Sequence, residues 1–133
     1  MNKEWDMVRD FHVAFSHPHK EQPNMLPAER VQARYKWMLE EIDEFVASET
    51  VVEQADAMID LIYFALGTLV EMGVRPDGLF KIVHDANMSK LWENGEPRFN
   101  SDGKVIKPLS WVDPEHKLIE EISRQCAGKK ADE

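Results

Sequence analysis

Cysteine is nearly absent from this 133-residue chain, with Cys126 the only one. One thiol cannot close an intrachain disulfide or supply the sulfur ligands of a zinc site. A reducing cytoplasm is therefore the default expectation. Iron in a helical bundle calls for Glu-x-x-His pairs, and no glutamate here has a histidine three residues on. A serine-type triad and a Gly-rich phosphate loop are also missing. Basic charge is short: 16 Lys and Arg stand against 25 Asp and Glu, for a net charge of −9. That balance disfavours nucleic acid as a direct partner, because phosphate contacts need a basic footprint. An acidic protein that binds a small phosphate compound needs metal ions between the two negative surfaces. Long apolar runs are lacking as well. The opening residues, MNKEWDMVRDFHVAFS, carry charges throughout and do not read as a signal peptide. The longest apolar run is broken by Asp60 and Gly67 and is too short to span a bilayer, so no membrane partner is expected.

What is present is helical periodicity. The chain is 43% hydrophobic, enough for a core, and its length suits a single domain over residues 1–133. Met7, Val8, Phe11, Ala14 and Phe15 share one face of a first helix, roughly residues 3–16. After the polar loop SHPHKEQPN, Pro27 starts a second helix with the stripe Val31, Tyr35, Met38, Ile42 and Phe45. Thr50 and Glu53 have the spacing of a capping box and open a third helix that runs to Met72 and stops at Gly73. Pro76 opens a fourth, continuing to about Leu91. Residues 93–113 contain an Asp102-Gly103 turn between two short extended runs, which suggests a small β-hairpin or ordered loop. A short terminal helix follows, capped by Asp113 with Pro114 at its first position. The tail, about 127–133, is expected to fray. The expectation is thus an all-α, four-helix bundle with a C-terminal hairpin or loop and a terminal helix. The third helix is apolar nearly all round over residues 58–70, which predicts burial on every side. A second copy of the chain is the expected cover, with the 93–113 segment as the alternative.

Against that background two aspartates in QADAMIDLIYFALGTLV stand out. An unpaired carboxylate in an apolar interior costs several kcal/mol. At about 100° per residue, Glu53, Asp56, Asp60, Tyr63 and Gly67 fall on one face of the third helix. On the second helix Glu41 and Glu44 lie side by side with Trp37, while Glu40 points further round towards solvent. The short link ASET makes the two helices an antiparallel hairpin. If the acidic rows face each other, several carboxylates converge, and Mg²⁺ or Mn²⁺ is the natural counter-ion because hard cations take oxygen ligands. Other readings stay open. Glu40, Asp43 and Glu44 fit a solvated surface, Glu53 fits a cap, and Asp56 suits the first turns of a helix. Asp60 discriminates, since its structural excuse is an ion pair with Arg34 or Lys90. Helix four adds His84, Asn87 and Lys90 in HDANMSK, groups that can bind phosphate or a base edge. Lys104 and Lys107 in DGKVIKPLSW can reach a phosphate tail.

LEEIDEF, then DAMIDLIYFALGTLVEMG, then HDANMSKLW resemble the all-α nucleotide pyrophosphohydrolases, a superfamily that includes MazG, dimeric dUTPases and phosphoribosyl-ATP pyrophosphohydrolases. The resemblance covers roughly residues 5–115. It is nearest to the small MazG-like branch ending in a segment like DGKVIKPLSW, some of which are labelled "HAD Cof-like". No Asp-x-Asp phosphatase motif occurs here. The family pattern is Glu-x-x-Glu on one helix and Glu-x-x-Asp on the next, all binding Mg²⁺. Glu41 and Glu44 match the first half, Glu40 the extra leading glutamate, and Asp60 the final aspartate. The sequence departs at Ala57, where the acid has moved to Asp56; alternatively Glu53 and Asp56 form the second pair. The resemblance implies hydrolysis of a nucleoside triphosphate to a monophosphate and pyrophosphate by a homodimer or dimer of dimers. It implies Glu41, Glu44, Asp56 and Asp60 as ligands and Glu41 or Glu40 beside the attacking water. Lys90, Lys104 and Lys107 would meet the phosphates, Asn87 the substrate, and Trp37 or Tyr63 would line the base pocket. A phosphoribosyl-ATP hydrolase and a non-catalytic nucleotide- or protein-binding dimer are the competing readings.

Overall fold

A computed structural model describes residues 1–131, the side chains of 129–131 excepted, and contains five helices among them. They are α1 (Asn2–Ala14), α2 (Ala28–Ala47), α3 (Val51–Met72), α4 (Pro76–Met88) and α5 (Glu115–Ala131). The terminal helix is thus a full element of 17 residues instead of a short one, and it continues through much of the expected tail. Residues 132 and 133 lie outside the described residues. The expected hairpin reduces to one antiparallel bridge, Phe99 with Val105. Asn100 ties that turn through its own side chain, its Oδ1 accepting from the amides of Asp102 and Lys104, both at 2.9 Å. Those bonds compete with a ladder and keep the segment a loop. No single helix among the described residues is long and apolar enough to cross a membrane.

The chain divides into two compact units. Met1–Pro76 together with the end of α5 from Gln125 forms the first, and Asp77–Arg124 the second. In the first unit α3 packs against both α2 and α1. Trp5, Val8, Leu66 and Val70 form its apolar core. The predicted cap is present: Glu53 N–H donates to Thr50 Oγ1 at 3.1 Å, and Glu53 Oε2 accepts from the Glu49 amide at 2.7 Å. Gly73 ends α3 in the left-handed conformation (φ 69°), and a side chain there would strike the backbone of Gln22. The sequence expectation that α3 is buried on every side is not met within the chain, since Ile59 is 61% and Ile62 50% exposed.

Beside the apolar core lies a buried ion cluster that the sequence did not announce. Glu71 near the end of α3 accepts from Arg30 Nε at 2.8 Å and Nη2 at 3.0 Å, and from Arg34 Nε. The Arg34 Nη2 group faces His12 Nε2 at 3.1 Å, while His12 Nδ1 lies 2.7 Å from the Pro18 carbonyl. The carbonyl fixes the proton on Nδ1 and leaves Nε2 as acceptor for the guanidinium. Burial lowers the His12 pKa and keeps the ring neutral. Both arginines also lie over Trp37, at 5.4 and 5.2 Å from its centroid.

Gly67 is where the three helices meet. A β-carbon there would sit 2.9 Å from His12 Nε2 and 3.1 Å from Arg34 Nη1, and both side chains are held at their far ends. Gly67→Ala is expected to cost about 1–3 kcal/mol by forcing this cluster apart, measured by urea unfolding. An unchanged midpoint would show that the cluster yields freely.

Candidate metal-binding site

Two further turns along α2 from Arg34, and correspondingly back along α3 from Glu71, the acids meet. One carboxylate oxygen from each of Glu41, Glu44 and Asp60 lies within 4.8 Å of the others. Glu41 and Asp60 are half-buried and Glu44 is exposed. Glu41 Oε2 is buried and has no hydrogen-bond partner. Buried polar oxygens are nearly always partnered, so an unpartnered one on a member of this acidic group fits a cation ligand. The donor set, three carboxylates with neither sulfur nor imidazole, suits Mg²⁺ or Mn²⁺.

The structural excuse for Asp60 fails. Arg34 is committed to Glu71 and His12, and Lys90 Nζ donates to Asn87 Oδ1 at 2.8 Å. Asp60 instead has its pKa raised, first by burial and then by the charges of Asp56 and Glu44. Glu41 is pushed up to about 7 by burial, by sharing a hydrogen bond with Glu44, and by the charges of Glu44, Asp60 and Asp56. These acids repel one another, and among the described residues none of the three forms an ion pair.

The other residues singled out in the sequence have their own surroundings. Asp56 is exposed and outside the group of three, but with Glu44 and Glu53 it lines an adjoining hollow of about 270 Å³. Ala57, at the position where the resemblance expects an acid, is 2% exposed. Glu53 is engaged in its capping box, and Glu40 is exposed. Trp37 carries Arg30 and Arg34 over its ring and Phe64 at 6.1 Å, contacts that explain it by packing. Tyr63, three residues after Asp60, is exposed and meets Phe11 edge-on at 5.7 Å between centroids. Phe11 in turn stacks on Phe15 at 4.5 Å and lies 5.8 Å from His17. Phe11 and Phe15 share the apolar face of α1, and the structure leaves Phe15 64% exposed. In the second unit, Lys90 and Lys107 both approach the ring of Trp111, and Lys104 is exposed.

The family model for phosphoribosyl-ATP pyrophosphohydrolase matches residues 8–87, a span that takes in every acid of the site. The chain belongs to that family, and it is a hydrolase acting on phosphoanhydrides. It is 32% identical to a candidate NTP pyrophosphohydrolase from Exiguobacterium sp. 255-15, with 95% of this chain and 97% of that one covered at a TM-score of 0.55. No curated protein matches the chain.

The raised Glu41 pKa gives a signed expectation. From pH 4.5 to about 7 the metal-free folded chain keeps a proton that the unfolded chain releases, so Glu41 costs stability increasingly as pH rises through that window. A cation needs Glu41 ionised and competes with that proton. Mn²⁺ affinity, followed calorimetrically, is expected to weaken below about pH 7 by up to roughly tenfold per pH unit. In Glu41→Gln that slope should flatten. A wild-type affinity flat across the window would remove Glu41 from the ligand set.

Proposed function

We propose that the chain is a Mg²⁺-dependent nucleoside triphosphate pyrophosphohydrolase that cleaves between the α and β phosphorus. The products are a nucleoside monophosphate and pyrophosphate. The observations that carry this reading are the convergence of Glu41, Glu44 and Asp60 and a buried Glu41 oxygen with no hydrogen-bond partner. Those three hold the ion, Mn²⁺ being able to substitute, and Asp56 completes the acidic rim. When bound, a divalent ion neutralises phosphate oxygens and lowers the pKa of water. Glu41 or Glu40 takes the proton of the attacking water. Exposed Tyr63 and Phe11 offer ring faces for a base, which any base can stack on; Trp37 is the other aromatic side chain proposed for that pocket. The second unit carries lysines of its own, Lys90, Lys104 and Lys107, which bind phosphate, with Asn87 holding Lys90.

A second copy of the chain covers Ile59 and Ile62, whose exposure on an otherwise apolar helix is the reason to expect a homodimer or a dimer of dimers. The cytoplasm suits a chain with one cysteine. Phosphoribosyl-ATP is the second substrate to try, because the matching family model bears its name.

Pyrophosphate release from a panel of dNTPs and phosphoribosyl-ATP, with Mg²⁺ and with Mn²⁺, tests the proposal. Asp60→Asn is expected to lose at least about a hundredfold in turnover. In EDTA its melting temperature should equal or exceed the wild type, because repulsion among the acids is relieved. Silence across the panel would favour a non-catalytic binding module, and a strongly destabilised Asp60→Asn would restore a structural role for that carboxylate.

A further inference from the structure

In the second unit one indole carries two ammonium groups. Lys107 Nζ lies 4.6 Å and Lys90 Nζ 5.6 Å from the Trp111 ring centroid. The ring is itself fixed: its Nε1–H donates to the Ala86 carbonyl of α4 at 2.8 Å, and its backbone N–H to Pro108 O at 3.0 Å. Lys90 has a neutral partner, Asn87, and neither lysine forms an ion pair among the described residues. Arg98 over Trp92, at 3.8 Å, is by contrast a single cation on a single ring.

Two like charges repel, and each alone would sweep a wide volume on its flexible stem. The ring attracts both, which offsets part of any repulsion between them and removes much of that freedom before any ligand arrives. We infer that Trp111 is a positioning residue: it presents Lys90 and Lys107 as a preformed pair for a ligand with two adjacent phosphate groups. The inference rests on the phosphate-binding role proposed above for these lysines and adds the residue that organises them. A diphosphate engages both ammonium groups, whereas a single phosphate satisfies one point charge well and the other poorly. The class recognised is therefore a diphosphate or longer polyphosphate chain.

The full chain, kept in EDTA so that the carboxylates cannot bind anions through a metal, is titrated with inorganic pyrophosphate and with phosphate. The Trp111 indole N–H resonance and the heat of binding are followed. Saturable pyrophosphate binding is expected, about tenfold tighter than phosphate, with the indole resonance moving. Trp111→Leu should weaken it by about tenfold, and Trp111→Phe, which keeps a ring face but no Nε1–H, should recover most of the affinity. Lys107→Gln, at an exposed position, should abolish the preference for pyrophosphate over phosphate, and it carries the test even if Trp111→Leu does not fold. Wild-type affinity in Trp111→Leu, or equal loss in Trp111→Phe, would overturn the inference, as would an unchanged preference in Lys107→Gln. Pyrophosphate binding without dNTP hydrolysis would sink only the catalytic reading; hydrolysis without this binding pattern would sink only the role of Trp111.

Discussion

The register between α2 and α3 depends on one buried carboxylate. Glu71 is fully enclosed and receives Arg30 and Arg34 from α2, while Arg34 reaches on to His12 of α1. Losing one member of such a cluster leaves uncompensated charge inside the protein, a penalty of about 3–5 kcal/mol. A sliding of α3 against α2 by one turn would do just that. In an antiparallel pair, each step forward on α2 meets a step back on α3. Fixing Arg34 opposite Glu71 therefore brings Glu41 and Glu44 opposite Asp60 at the other end of the hairpin.

Seen this way, the two acidic systems of α3 are opposites. Glu71 is satisfied by two guanidinium groups, which hold its pKa below the usual carboxylate range despite its burial. Asp60 and Glu41 have other carboxylates as neighbours and are pushed upward. The first arrangement is complete in the chain alone, whereas the second wants positive charge from outside. A helix that spends stability on an unbalanced group, while a balanced one lies three turns away, has the pattern expected of a functional site.

Much of this was legible beforehand because the informative residues violate their local pattern. Asp60 interrupts an apolar run, and Glu41 and Glu44 flank a stripe at helical spacing, so simple helix geometry brings them together. The capping box at Thr50 and the stop at Gly73 were local signals, and both hold. The long-range partners were not legible. Glu71 looks like an ordinary acid near a helix end, and nothing local says that its arginines lie 41 and 37 residues earlier. Phe11 and Phe15 fit a core stripe, and a stripe does not reveal whether anything in the chain covers it. The Asp102-Gly103 turn was read correctly, but the Asn100 side chain takes the amides that a hairpin would have used. Trp111 looked like the end of a motif; its hydrogen bond to Ala86 joins α4 to a loop 25 residues on.

The central claim is that a divalent cation belongs among Glu41, Glu44 and Asp60. Anomalous diffraction from crystals soaked in Mn²⁺ tests it most directly. The account predicts a peak within coordinating distance of all three carboxylates, with Glu41 Oε2 among the ligands. A fully soaked crystal with no peak there, or with manganese only on surface acids elsewhere, would contradict it.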